Sequence, residues 1–252
     1  MVADTIATME VLPTAGERQL QPRRRDSQAN RERIWTAATH VFATQGLAAT
    51  LADVAREAGV GVGTVYRRFA NKDDLILELF THRFTELIEL AREASEAPDP
   101  WVAFVDYFEE TNRRLALDKG LRQLTMGGLT QAVGWARGST PDRLTALLAD
   151  AALQMSVHHT RLVRRAQEVG ALRADIEPTD MLLLTMAIQS TLGLANGSHP
   201  EQSRRILAVM LSGLSTSPAP VELPVPALSD SDIDELELFR PFQRPDEGDG
   251  RS

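Results

Sequence analysis

The chain has 252 residues, 43% of them apolar and 25% charged, with a formal net charge of −8 at pH 7 and no cysteine. This is the composition of an ordinary soluble globular protein, and the missing cysteine excludes a disulfide framework, a thiol nucleophile and a cysteine zinc site. No apolar run approaches the roughly 20 residues that cross a bilayer, and the N-terminus lacks a basic start followed by an apolar stretch. A cytoplasmic protein with no membrane partner is therefore expected.

The charge is segregated. Residues 23–72 hold nine Lys/Arg against four Asp/Glu, a local +5, whereas residues 216–252 hold three against nine, a local −6. Local positive potential is what attracts phosphates, so overall acidity does not exclude a nucleic-acid partner.

In chain order, residues 1–25 have no sustained period and include Pro13, Gly16 and Pro22, and read as a flexible extension. It ends in Arg23, Arg24 and Arg25, either a solvated basic turn or an arm that follows a DNA backbone or enters a minor groove. Its place beside the next unit favours phosphate contact. A first helix is predicted over about 27–45, with Ile34, Ala38, Val41 and Phe42 along one stripe and Gly46 closing it. Thr50 then precedes Leu51, Val54, Ala55 and Ala58, apolar at i, i+3, i+4 and i+7. Asp53 stands where a capping box needs it, and Gly59 suits a left-handed helix end. A second short helix over about 62–69 turns Val65 and Phe69 inward and Thr64, Tyr66, Arg67 and Arg68 outward. Two helices joined by a tight glycine turn form a helix-turn-helix, whose second helix enters the major groove.

The stretch GLAATLADVAREAGVGVGTVYRRFANKDDL resembles the DNA-binding signature of the TetR family of bacterial transcriptional regulators, in register from about Arg31 through Leu79. Gly61 stands where family members most often carry Ser, and Arg68 where they most often carry His. The resemblance implies an all-α fold: an N-terminal three-helix helix-turn-helix domain over 26–72 and a C-terminal helical ligand-binding and dimerisation domain over 73–215. It also implies that Tyr66 and Lys72 hold phosphates and that Thr64 meets a phosphate or a thymine methyl. Thr50 and Asn71-Lys72, at helix starts with free amides, fit phosphate contacts on physical grounds as well.

Base reading falls to Val62, Gly63, Thr64 and one of Arg67 or Arg68. An arginine either grips guanine O6 and N7, worth about 1–3 kcal/mol of discrimination, or pairs with an acid on a neighbouring helix. Arg68 is the better candidate for the DNA contact. Gly61 and Gly63 allow close backbone approach to the duplex.

Asn71 caps a longer helix to about residue 95 that buries Leu75, Ile76, Leu79, Phe80 and Phe84. Further helices are predicted over about 101–117, 121–126, 140–169, 178–195 and 198–214. Residues 216–252, rich in proline and acids, read as a disordered tail, in which Leu236, Leu238, Phe239 and Phe242 form an apolar cluster. Candidates for a small-molecule effector pocket are Trp101, Phe104, Tyr107, Phe108, Met126, Trp135, Met155, His158, His159, Met186 and Gln189, although such side chains at helical spacing are more often plain core. The dimer candidates are Met181, Leu184, Ile188, Leu192, Ile206, Val209, Met210 and Leu214, because a four-helix bundle of two protomers would bury them.

No catalytic or metal-ligand constellation is present in the sequence, and no cofactor is expected beyond the effector. The expected function is a homodimeric repressor on a palindromic double-stranded DNA operator, released by a small molecule. Two alternatives remain: an activator with the same DNA-binding unit, and a helical small-molecule-binding protein or enzyme without DNA binding.

Overall fold

A computed structural model describes residues 15–125, 142–192, 201–217, 223–229 and 232, with side chains from Gln28 onward. Nine α-helices and no β-strand are found among these residues. They are α1 (Ala15–Gln45), α2 (Leu51–Ala58), α3 (Val62–Arg68), α4 (Lys72–Glu96), α5 (Pro100–Leu117), α6 (Lys119–Thr125), α7 (Asp142–Glu168), α8 (Pro178–Thr191) and α9 (Gln202–Leu214), with a 3₁₀ turn at Gly46–Ala48.

The first helix begins at Ala15, twelve residues before the expected start. Gly16 and Pro22 suggest an irregular segment, but they are flanked by Glu17, Arg18, Gln19, Leu20 and Gln21 and by the three arginines, all straight-chain residues with good helix propensity. Arg23, Arg24 and Arg25 therefore lie on α1. Met126, Trp135, the Thr140-Pro141 helix start and the Leu236–Phe242 cluster fall outside the described residues.

Local chemistry sets the ends of the other helices. Thr50 accepts the Asp53 N–H through Oγ1 and Asp53 accepts the Thr50 N–H at 2.9 Å, a complete capping box. Gly59 ends α2 at φ +64°, a conformation that costs glycine little. Asn71 Oδ1 accepts the Asp74 N–H at the start of α4, and Asp99 accepts the N–H groups of Trp101 and Val102 ahead of Pro100 in the first turn of α5.

Two apolar cores result. The first joins α1, α2 and α3 to α4, α6 and the first half of α7, through Phe42, Val54, Val65, Phe80, Leu121, Leu124 and Leu144. It does not stop at the end of the helix-turn-helix. The second packs the end of α4 with α5, the end of α7, α8 and α9 around Phe104, Phe108, Leu162, Ile188 and Leu211. After α7 the chain pairs with the end of α9: the Arg173 N–H donates to the Leu214 carbonyl and the Thr216 N–H to the Ala171 carbonyl. Residues 223–229, expected in a disordered tail, return to the body. Arg205 Nη1 donates to the Val225 carbonyl at 2.7 Å and Gln202 Nε2 to the Pro226 carbonyl at 3.1 Å. Polar anchors on α9, absent from the tail's own composition, hold this segment.

Candidate nucleic-acid interface

The helix-turn-helix presents one outward face. Val65 of α3 is fully buried and Phe69 nearly so, which turns Val62 (46% exposed), Gly63, Tyr66 (55% exposed) and Arg67 to solvent, with Thr64 half-buried. A Cβ placed on Gly61 or Gly63 would meet nothing within 4 Å. Neither glycine is required by the chain's own packing.

The two arginines behave differently. Arg67 folds back along α3, its Nε donating to the Gly63 carbonyl at 3.2 Å and Nη2 to Thr64 Oγ1 at 3.3 Å. Arg68 reaches away from α3 to α4: its Nη2 meets both Glu78 oxygens at 2.8 and 3.0 Å, and its guanidinium lies 4.8 Å from the centre of the Phe69 ring. Without DNA, Arg68 takes the second of its two expected roles and pairs with an acid on a neighbouring helix. Glu78 is separated from Arg68 by ten residues and a turn, so helical spacing gave no sign of the pair.

Lys72, expected to point at phosphate, opens α4 and donates its Nζ to the Leu47 carbonyl. Burial pulls the ammonium below its usual range. At the other side of the motif, hydrogen bonds from the Thr50 side chain and backbone, then from Arg56, hold the Asp53 carboxyl down to about 2. The cap is thus a fixed anion at ordinary pH, on the positive end of α2.

The motif is tied to the rest of the molecule at the 3₁₀ turn. The Leu47 N–H donates to Gln123 Oε1 of α6 at 2.7 Å, while the Leu47 carbonyl takes Lys72. Nearby, Arg83 of α4 pairs with Asp118 and donates to the Thr39 carbonyl of α1, and Asp118 Oδ1 accepts the Leu121 N–H at the start of α6. Sequence reasoning missed Gln123, Arg83 and Asp118, whose partners lie 35 to 76 residues away. A buried charge that needs a partner was the available signal.

In the C-terminal half the pocket and dimer candidates lie mostly in or against the chain's own cores. Trp101, Phe104 and Phe108 stack in series, with ring centres 5.8 and 6.1 Å apart. Phe104, Tyr107 and Phe108 are buried in the second core and Met155 packs on the first. His159 Nε2 and Tyr107 Oη are 2.6 Å apart, His158 Nδ1 lies 3.4 Å from Ser95, and Met186 is exposed. Met186 apart, these side chains pack in or against the chain's own interior, and none of them lines the three concave sites described below. Gln189 reaches one of those sites indirectly, through its hydrogen bonds to Asn112.

The dimer candidates divide between the interior and the surface. Met181, Ile188, Leu192 and Leu214 are buried within the chain, Leu184, Ile206 and Met210 are half-buried against its core, and Val209 is exposed. The sequence could not assign the faces of α8, which is apolar nearly all round. Its exposed apolar residues are Leu182, Leu183 and Met186.

The three concave sites differ in character. A groove of about 710 Å³ lies along α4 and is lined by Trp35, His82, Glu86, Glu89 and Glu93. A second, about 570 Å³, sits among α1, α4, α5 and α6. The largest of the three, about 890 Å³, opens between α5 and α9, with Asn112 and Ile188 in its wall and Pro224 at its edge. Among the described residues no group of His, Asp and Glu could hold a metal ion, and no helix is long and apolar enough to cross a membrane.

Residues 34–79 match the family of bacterial regulatory proteins called tetR, and residues 99–216 match the C-terminal domain of SbtR-like transcriptional regulators. A stretch of 72 residues, 28% of this chain, is 44% identical to YhgD of Bacillus subtilis, an HTH-type transcriptional regulator, and spans 36% of that relative's length. The fold is similar to crystal structures of a TetR transcription regulatory protein from Mycobacterium vanbaalenii (26% identity, TM-score 0.51, 77% of this chain and 99% of that one) and of SCO0520 from Streptomyces coelicolor (29% identity, TM-score 0.52, 74% and 99%). FadR of Bacillus subtilis, solved with stearoyl-CoA, shares the fold at 19% identity, with a TM-score of 0.53 over 73% of this chain and 98% of that one.

Proposed function

Because the chain belongs to the TetR family of bacterial transcriptional regulators, we propose that it acts as a homodimeric repressor on a palindromic operator and is released by a small molecule. The carrying observation is the outward face of α3. Val62, Gly63 and Tyr66 stand exposed, unused by the chain's packing, at the position where a recognition helix meets the major groove. Tyr66 and the amides at the start of α2 contact phosphates and set the register. Val62, Gly63 and Thr64 approach base edges.

Two half-sites about 34–36 Å apart, or a multiple of that, need two recognition helices. The exposed Leu182, Leu183 and Met186 of α8, with Val209 of α9, supply an apolar surface for the second protomer. Release follows if a ligand among α5, α8 and α9 favours a separation of the two reading heads that does not fit DNA; only a difference in affinity between the two states can do this.

The test is to capture genomic fragments with the purified protein and sequence them. The expected result is one enriched palindrome, with protein of dimer mass bound to it. Enrichment no greater than that of a Tyr66→Ala, Thr64→Ala variant defeats the reading.

A further inference from the structure

Beyond α9 the chain is held to the body in two different ways. At Thr216 the backbone itself is bonded: its N–H donates to the Ala171 carbonyl at 3.0 Å, and its hydroxyl donates to the Gly170 carbonyl. Residues 223–228 make no backbone–backbone hydrogen bond among the described residues. Pro224 and Pro226 bring no N–H, so this segment is held through its carbonyls. Both donors are side chains of α9: Arg205 Nη1 to the Val225 carbonyl at 2.7 Å, and Gln202 Nε2 to the Pro226 carbonyl at 3.1 Å. Leu223, Val225 and Leu228 are half-buried, whereas Pro224 and Pro226 are exposed.

The segment lies beside the cavity of about 890 Å³ between α5 and α9. Glu201, Arg204 and Ala208 line that cavity at i, i+3 and i+7, so they share one flank of α9. Gln202, Arg205 and Val209 repeat the spacing one residue later and share the next flank, about 100° round the axis. The segment is anchored on this second flank, and its Pro224 reaches the first, where it forms an edge of the cavity.

The cavity walls carry both signs of charge, with Glu109 and Arg113 on α5 and Glu201 and Arg204 on α9, beside the apolar Ile188 and Leu207. Charge alone therefore does not decide what enters, whereas the attachment of the segment can. A stretch fixed by two side-chain hydrogen bonds and three half-buried side chains opens more readily than the helices beneath it. Letting go of Gln202 and Arg205 leaves the bonds of Thr216 in place, so the segment can leave without unfolding α9.

We propose that residues 223–228 are a strap over one edge of the α5–α9 cavity, and that its release from Gln202 and Arg205 governs entry. The inference rests on the reading of the chain as ligand-responsive and supplies the gate of that site.

The chain has no cysteine, so one introduced thiol reports a single position. Ala116→Cys and Ala208→Cys put it in opposite walls of the cavity. Leu153→Cys puts it on an exposed site of α7 that lines none of the three concave sites. Each is made in the full-length protein with and without Gln202→Ala, Arg205→Ala, and the rate of reaction with a fluorescein maleimide is measured. With the anchors removed, the thiols at positions 116 and 208 should react about tenfold faster or more, and the thiol at position 153 within about twofold of its former rate. Gln202→Ala alone should give an intermediate acceleration, and it carries the test if the double variant loses its cooperative melt. Unchanged rates at positions 116 and 208 overturn the proposal, as does equal acceleration at all three positions, which reports general loosening. Labelling needs neither DNA nor effector, so its failure leaves the DNA-binding reading standing, and a failed operator capture leaves the strap standing.

Discussion

The Leu47 amide donates to the side chain of Gln123, seventy-six residues further along, at 2.7 Å. One hydrogen bond thus links the turn in front of the DNA-reading helices to α6, and the Leu47 carbonyl links the same peptide to α4 through Lys72. Gly46, at φ +76°, is fitted against this contact: a Cβ there would lie 2.4 Å from Gln123 Oε1. Gln123→Ala leaves the Leu47 N–H without its partner and should cost about 1–3 kcal/mol in denaturant unfolding. Gly46→Ala should cost a similar amount, from the clash and the left-handed backbone together. The two costs should add only in part, since removing the Gln123 side chain relieves its clash but not the left-handed backbone. A double-mutant cycle with a coupling below about 0.5 kcal/mol would show that the contact does not hold the turn.

Tyr66 and Lys72 should separate on substitution. Tyr66→Ala removes an exposed side chain, so stability should change by less than about 0.5 kcal/mol while DNA affinity falls on all sequences. Lys72→Met also removes the Leu47 contact, and should lower both stability and the dependence of binding on salt. Fluorescence anisotropy at several salt concentrations, beside thermal melts, reads both. Unaltered affinity for Tyr66→Ala removes it from the interface.

Glu78 competes with DNA for the Arg68 guanidinium. The pair is about 41% and 44% exposed, where such bridges contribute about 0–1 kcal/mol. Glu78→Gln should therefore leave folding almost unchanged and tighten DNA binding up to about fivefold. No tightening means that Arg68 serves to brace α3 against α4.

His159 makes stability depend on pH. Burial, and then the charge of His158, depress its pKa from 6.5 to about 4. The unfolded chain therefore takes up the proton first, and stability falls as pH drops from 6.5 toward 4, by about 3 kcal/mol in all. Asp53 acts in the same direction lower down, between 3.8 and about 2. His159→Gln keeps a hydrogen-bonding partner for the Tyr107 hydroxyl and should flatten the profile between pH 6.5 and 4.5. An unflattened profile in denaturant titrations assigns the acid lability elsewhere.

The parts of the molecule legible in the sequence are those whose causes are local. Thr50 and Asp53 are three residues apart, and Gly59 follows the last buried alanine of α2, so cap, helix and turn could be read directly. The resemblance carried the all-α fold. What could not be read depends on partners brought together by packing. Ile188 and Leu214 look alike as members of an apolar stripe whether they face a second protomer or their own core, and the structure puts them inside. The choice between the two readings of Arg68 could not be made, because its partner Glu78 lies on another helix. Residues 223–229 looked disordered because Gln202 and Arg205, which hold them, belong to α9.

The open surroundings of Gly61 and Gly63 bear on how this protein tolerates change. Alanine at either site meets nothing in the isolated molecule, and at Gly63 it should favour the helix by up to about 1 kcal/mol. A selection scored on expression or solubility would let both positions drift. A selection scored on operator occupancy would hold them as glycine, so the contrast between two such libraries would outline the DNA footprint without any structure of the complex.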